Sequence, residues 1–354
     1  MRVKNWLGSV AFTKLLNWEY WPTNVLYAPV GIYWLWLSFK CRSFYFMTAA
    51  NPSIHTGGFV MESKNDVYAL LSPALYPTTV FVEKKGTFTQ VRQHVTEADI
   101  HFPCIAKPDI GMQGLGVKKI SNWPELEAYH HQMPFSFLVQ SYINFPCEAG
   151  VFYYRLPHEK TGKISGVVMK EFAAITGNGQ DTVAQLVAQN KRYNLYYNNI
   201  AHELGHKMNT ILGNGESLQL LDYGNHARGS KFVDGSHLIT PALESVFNEI
   251  CTQIPGFYYG RLDIKYNNWH DLEQGKNFSI IELNGSGSSP THILDPGHSI
   301  FFAWREIVKH WRVMYQIATH NHKVHKVPYL SFAAGIKEVK ASGRIKKMLR
   351  SKNW

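Results

Sequence analysis

The residue types best suited to chemistry lie in two short segments, Arg261-Leu262-Asp263-Ile264-Lys265 and Ile280-Ile281-Glu282-Leu283-Asn284-Gly285. Each reads as a β-strand, in which side chains alternate between faces with period two. Arg261 and Asp263 therefore share a face of one strand, and Glu282 and Asn284 share a face of the next. If the strands pair as neighbours, two carboxylates, one amide oxygen and one guanidinium converge on a small volume. Oxygen ligands of this kind suit Mg²⁺, which is usually held by one or two carboxylates together with substrate phosphates. An adjacent arginine suits a phosphate or the oxyanion of an acyl phosphate.

A second group of residues lies upstream. Asp109-Ile110-Gly111-Met112-Gln113-Gly114-Leu115-Gly116-Val117 is a glycine-spaced loop between two short apolar runs. Gly111, Gly114 and Gly116 do not follow the GxGxxG order, and no GK[ST] follows, so neither the dinucleotide-binding turn nor the P-loop applies. A glycine loop joining antiparallel strands can instead fold over phosphates and offer them backbone N–H groups. Lys107, on the strand entering the loop, and Lys170, on a later hairpin, supply cations. Arg228 is a weaker candidate for holding a carboxylate, and the Ser286–Ser289 run for offering N–H groups to an acyl phosphate or forming a plain turn.

These residues need elements to position them. Strands are expected at Ser43–Thr48 and Thr78–Val82, with a short helix at Asn65–Leu71 between them. A strand at Pro103–Pro108 enters the glycine loop and another leaves it at Val117–Ile120. Asn122 with Glu125 three residues on is a helix-capping pattern, and Phe137–Ile143 reads as a strand leading to Glu148. A hairpin is expected from Gly150–Leu156 and Lys163–Phe172. Helices are expected over Thr182–Asn190, Pro241–Ile254 and Phe301–Ile317.

Composition sets outer bounds. At 354 residues, with 45% hydrophobic and 18% charged residues, the chain can bury a core and is not a disordered segment. Its net charge of +10 points to an anionic partner. The four cysteines (Cys41, Cys104, Cys147, Cys251) form no CxxC pair, which argues against a zinc site or disulfide framework and suits a reducing compartment. His202-Glu203-Leu204-Gly205-His206 matches HExxH, a zinc-protease pattern. Without a distinctive third ligand, and with Gly205 inside the expected helix, a solvated or packed helix face is the simpler reading. The apolar run Val25–Phe39, about 15 residues, is shorter than the roughly 20 that a spanning helix needs. With Trp18, Tyr20, Trp21, Tyr27 and Tyr33 it forms an aromatic segment suited either to a core or to a membrane interface. The segment from Lys337 to Trp354 is basic, with Glu338 its one acid.

The order of the pieces is the most specific feature: strand lysine, glycine hairpin, the Gln140–Ile143 strand with Glu148, the Lys170 strand, the Arg261/Asp263 strand, then Glu282/Asn284. This order resembles the ATP-grasp superfamily over roughly Phe102 to Pro296. The similarity is greatest to its carboxylate–amine ligases, such as D-alanine–D-alanine ligase and cyanophycin synthetase-like enzymes. Phe102–Pro108 resembles the family's first nucleotide-lysine strand. Glu282-Leu283-Asn284 resembles its metal-binding Glu-x-Asn, and Gly177–Val183 a glycine-rich segment of the cyanophycin synthetase-like members. The resemblance implies an α+β chain whose ATP-grasp fold has two subdomains, 81–139 and 140–330. A small aromatic-rich α/β domain (1–80) would precede them and a basic tail (331–354) follow. Lys107 and Lys170 would contact ATP phosphates under the Gly111–Gly116 loop. Gln140, Ser141 and Ile143 would lie along the adenine, with Gln140 where the family usually has an acid, and Glu148 would hold the ribose. Asp263, Glu282 and Asn284 would bind Mg²⁺, two ions or alternatively Mn²⁺. Arg261 would stabilise the acyl phosphate, with Lys170 beside it in catalysis.

The expected function is thus an ATP- and Mg²⁺-dependent ligase that activates a carboxylate as an acyl phosphate and joins it to an amine. Alternatives are phosphate transfer to a hydroxyl, or a membrane-surface binding protein with a vestigial nucleotide site. Expected partners are small-molecule or lipid-linked carboxylates and amines, with peripheral contact to anionic membrane and no nucleic acid. The expected location is the cytoplasm, including the inner membrane face.

Overall fold

Four strands, β1 (Thr79–Val82), β2 (Cys104–Pro108), β3 (Lys118–Ile120) and β4 (Phe137–Ser141), form an antiparallel sheet in the order β1-β4-β2-β3. The computed structural model describes residues 13–351 except Gln113, Asp222, Tyr223, Asn225, Ala227 and Arg228. One face of the sheet carries Val80, Val82, Cys104, Ala106, Phe137 and Val139, which pack with Val91 and Val95 of the Phe88–Glu97 helix and Leu126 and Tyr129 of the Trp123–Gln132 helix. Alternation puts Lys107 and Gln140 on the opposite face. The Trp123–Gln132 helix starts at the cap expected for it, and the Phe88–Glu97 helix has a cap of its own. Thr87 and Gln90 close a capping box, and Asn122 accepts from Glu125 N–H at 3.0 Å.

The chain folds as two compact units, each assembled from separated stretches. The four-stranded sheet belongs to the second unit (Tyr33–Val167, Ser236–Pro290, Ile307–Trp354). A second antiparallel sheet there contains β5 (Cys147–Tyr154), the first half of β6 (Lys163–Glu171), β10 (Tyr259–Tyr266) and β11 (Phe278–Asn284), in the order β11-β10-β5-β6. Leu262, Ile264 and Tyr266 lie buried on one face of β10, and the Pro241–Gln253 helix buries Leu243, Phe247 and Ile250. Fully burying such a side chain is worth about 1.5–3 kcal/mol.

The first unit contains residues up to Ile32 together with Val168–Gly235 and Thr291–Glu306. It holds the second half of β6 paired with β9 (Lys231–Asp234), and β7 (Ala174–Thr176) paired with β8 (Ser217–Gln219). Val183 and Val187 of the Val183–Gln189 helix pack there against Ile175, Ile200 and Leu212. Glu19, only 9% exposed, accepts from Arg192 Nη1 at 3.0 Å and lies 3.1 Å from His226 Nε2.

Several expectations change. Ser43–Thr48 is not a strand: Phe46–Ala49 is a short 3-10 helix, and Phe46, Met47, Thr48 and Ala49 are all buried, so there is no alternation for a sheet to use. The Val25–Phe39 run divides into helices Thr23–Tyr27 and Gly31–Cys41. The HExxH pattern does not lie on one helix. The Tyr197–Leu204 helix ends at Gly205 with φ +52°, and His206 falls on the next turn. The basic terminal segment forms a helix, Phe332–Arg350, whose Leu349 joins the core of the four-stranded sheet. All four cysteines are free thiols, and among the described residues no helix is long and apolar enough to cross a membrane.

Candidate active site

β10 and β11 do pair as neighbours, with Arg261 opposite Asn284 and Asp263 opposite Glu282. The four chemical side chains therefore share one face, as alternation requires. Asp263 is the buried anchor. Arg261 donates to it from Nε at 3.1 Å and from Nη2 at 2.8 Å, and Asn284 Nδ2 donates to it at 3.1 Å. Burial opposes the charge on Arg261, but Asp263, with Glu282 and Glu148 beyond it, outweighs that and holds the guanidinium above its ordinary value. On the same face Glu148 of β5 stands opposite Lys265 of β10.

The pairing slips after Asp263, so that Ile264 faces Ile280 and Ile281 has no opposite residue. Such a β-bulge leaves backbone groups outside the ladder and re-aims them. The freed carbonyl of Ile281 accepts from Lys107 Nζ at 3.1 Å and also from the Tyr68 hydroxyl. Lys107 further donates to Tyr68 Oη at 2.8 Å and to Gln140 Oε1 at 2.9 Å, so all three ammonium donors have partners. Burial pushes its amine down to about 7, against the pull of Glu282. Gln140 is thus a side-chain partner of the lysine, and its own amide donates to Thr79 Oγ1 at 2.8 Å.

Sequence reading missed Lys64. It sits at the start of the Lys64–Tyr68 helix, whose cap Ser63 accepts from Asp66 N–H at 3.1 Å. Its Nζ lies 3.4 Å from Glu282 Oε1 and donates to Gly111 O at 3.2 Å. One cation thereby joins the glycine loop to the carboxylate pair. The only sequence signal was its place in the first turn of a capped helix, which by itself says nothing of function. Nearby Glu62 is pushed up by burial, with Glu282 adding to the effect.

The glycine loop is built as expected, with Gly114 and Gly116 at φ +67° and +76°. A Cβ on Gly116 would meet Pro108 Cγ at 2.9 Å and Leu349 Cδ2 at 3.2 Å, so the loop is seated on β2 and the last helix. Ser141 ends β4 opposite Cys104, and Ile143 O accepts from Lys265 Nζ at 3.2 Å.

Of the two readings of the Ser286 segment, the hydrogen bonds favour the plain turn. Ser286 N–H and Gly287 N–H donate to Gly57 O and Gly58 O at 3.0 and 2.8 Å, and Ser288 N–H to Gly285 O at 3.0 Å. These three donors fix the turn and are not aimed at a ligand. The Ser286 hydroxyl itself is buried without a partner. Asn51, fully buried, accepts from the Tyr258 and Tyr259 N–H groups and donates to Gly57 O and Tyr259 O. It locks this turn to the start of β10. Lys170 lies in the first unit opposite Phe232 of β9. Arg228 lies outside the described residues.

Among the described residues no group of three or more His, Cys, Asp or Glu side chains is arranged to hold a metal. Adjacent to one another on the Asp263 face are two carboxylates, Asp263 and Glu282, and the Asn284 amide, all offering oxygen, with Glu148 on the neighbouring strand opposite Lys265. That set fits Mg²⁺ if substrate phosphates and water complete the shell, and does not fit zinc.

Solved structures similar to this one include the following. A bifunctional glutathione synthetase from Pasteurella multocida matches at TM-score 0.39 and 15% identity over 72% of this chain and 38% of its own. A D-Ala:D-Ser ligase from Enterococcus faecalis matches at 0.44 and 15%, over 74% and 64%. D-alanine–D-alanine ligase from Bacillus anthracis, complexed with ATP, matches at 0.42 and 11%, over 74% and 68%. All three are ligases or synthetases. The chain spans between about two fifths and two thirds of their length. Every TM-score is below 0.5 and every identity is 15% or lower. No family model matches the chain, and no curated protein matches it.

Proposed function

We propose that the protein is an ATP-dependent ligase that activates a substrate carboxylate as an acyl phosphate and joins it to an amine. The reading rests on one arrangement: Asp263 and Glu282 in register beside Arg261, joined through Lys64 to a glycine hairpin. A carboxylate oxygen attacks the γ-phosphorus, the bond to the β–γ bridging oxygen breaks, and ADP leaves with both electrons. The amine then attacks the acyl carbon, phosphate departs, and the amine loses a proton. Such chemistry needs positioning and charge neutralisation more than covalent help from the protein.

The chain's own groups divide those tasks. Lys64 and the Gly111–Gly116 loop neutralise and cover phosphate oxygens. Lys107 sits behind them, and reaching a phosphate requires exchanging one of its three partners. Glu148 takes the ribose hydroxyls, and the backbone of Ser141 and Ile143 borders the base. Arg261, held flat by Asp263, offers its remaining edge to the acyl-phosphate oxyanion. Asp263, Glu282 and Asn284 would hold Mg²⁺, which would supply charge neutralisation to the transferring phosphoryl group. A role for Lys170 in phosphate contact follows from the sequence resemblance, and one for Arg228 in carboxylate binding from its guanidinium alone.

The test is ADP release from purified protein offered pooled carboxylates and amines, with ¹⁸O in the carboxylate. The reading predicts release that needs both substrates, and one labelled oxygen in the phosphate formed. ADP release dependent on a hydroxyl compound, with no label in phosphate, would replace it with phosphotransfer.

A further inference from the structure

The Gly31–Cys41 helix buries Leu37 and Ser38 and turns Leu35, Trp36 and Phe39 to solvent, at 59%, 51% and 82% exposure. Three large apolar side chains on one outward arc cost solubility unless something covers them. Phe44, 40% exposed, stands in edge contact with Trp34 of the same helix and with Phe332, 61% exposed, at the start of the last helix. Lys40 lies over the Trp36 ring at 4.5 Å, and Arg42 and Lys323 are exposed close by in sequence or space.

Charge identifies the occupant. From Tyr20 to Met61 the sequence has no aspartate or glutamate, and after Glu306 it has only Glu338. Glu338 lies 3.6 Å from His55 and is thus already paired with a histidine. The last helix adds Lys337, Lys340, Arg344, Lys346, Lys347 and Arg350. A protein partner of ordinary composition does not require so complete an exclusion of acids over two separate stretches. An anionic lipid surface does, because each nearby carboxylate would be repelled while lysine, arginine and interfacial tryptophan are drawn in.

We propose that the outward face of the Gly31–Cys41 helix, with Phe44 and Phe332, docks the protein on an anionic membrane surface. Aromatic and leucine side chains enter the headgroup boundary, and the surrounding lysines and arginines lie against lipid phosphates and carboxylates. The docking does not depend on the proposed ligase chemistry.

The full chain should co-sediment with phosphatidylcholine vesicles containing phosphatidylserine at low salt, bind phosphatidylcholine alone far more weakly, and release as salt rises. Trp36 emission should shift to the blue on binding. The triple variant Leu35→Ser, Trp36→Ser, Phe39→Ser should lose binding by at least about a hundredfold, since those side chains carry the apolar contact. Because all three are outward-facing, its melting temperature should match that of the parent. Lys40→Glu with Lys323→Glu should weaken binding to anionic vesicles without changing the melt. Absence of binding to phosphatidylserine vesicles at low salt, or undiminished binding by the triple variant, would overturn the proposal. So would a dimer in sedimentation equilibrium that the triple variant abolishes, since a second copy would then cover the face.

Discussion

The ammonium of Lys107 lies 3.1 Å from the backbone carbonyl of Ile281, bonding the four-stranded sheet to the bulge in the strand that carries Glu282. The contact explains two features at once. It satisfies a carbonyl that the bulge takes out of the ladder, and it buries an amine that would otherwise be solvated.

That burial has a pH signature. The Lys107 amine is held down to about 7 in the folded protein, against an ordinary 10.5. Between those values the unfolded chain binds the extra proton, so this group makes stability rise with pH, and its contribution is lost as pH falls toward 7. The slope reaches at most about 1.4 kcal/mol per pH unit. Urea unfolding of the parent and of Lys107→Met at several pH values across that window checks it. The parent should gain on the variant as pH rises, and a constant difference would refute the depressed amine.

Arg261→Met removes two charged N–H donors from the buried carboxylate of Asp263 and leaves the Asn284 amide in place. Breaking a buried ion pair in this way costs about 3–5 kcal/mol. The midpoint of denaturant unfolding should fall accordingly. A loss below about 1 kcal/mol would place the pair in the class of solvent-screened surface bridges.

Lys64→Met removes the cation between Gly111 and Glu282 while keeping the length of the side chain. If that cation meets phosphate, ADP release per ATP bound should fall roughly 10- to 150-fold, matching a charge-assisted hydrogen bond of about 1.5–3 kcal/mol. Unfolding stability should fall by only about 0.5–1.5 kcal/mol, the loss of an ordinary hydrogen bond to Gly111 O. Unchanged turnover would remove Lys64 from the site.

Gly58→Ala tests the turn behind Arg261. Gly58 has φ +73°, and a Cβ there would come within 2.6 Å of Gly285 Cα, a backbone atom that cannot swing away. The expected cost is at least about 1–3 kcal/mol from the backbone conformation alone, read as a lowered melting temperature. Gly343→Ala, where nothing lies within 4 Å of the new Cβ, is the control and should be neutral or slightly stabilising.

The local elements and the faces of the key strands were legible from the sequence. Alternation over Arg261–Lys265 and Phe278–Asn284, the glycine spacing at 111–116, and the Asn122/Glu125 cap are short-range patterns. A strand or helix exposes them whatever the rest of the chain does. The buried 3-10 helix at Phe46–Ala49 was not legible, because a segment apolar on all sides has no period to read. Lys64, the Ile281 bulge and the Asn51 lock were invisible for a different reason. Each gets its role from partners 40 or more residues away, and no local spacing encodes them.

The sequence alone determined that Arg261 and Asp263 would share one face of their strand and Glu282 and Asn284 one face of theirs, since side-chain direction in a strand follows from backbone geometry; the pairing that puts all four on one face is tertiary. It also determined the acid-free stretch from Tyr20 to Met61 and the cation-rich one after Glu306, with Glu338 its one acid, which are matters of composition. Only the tertiary structure decided that Asp263 is clamped by Arg261, that Lys107 is spent on Ile281, and that Lys64 faces the glycine loop. Those outcomes depend on which groups are desolvated together. Desolvation makes a buried charge seek whichever partner the packing brings within about 3 Å, and that is settled by the fold as a whole.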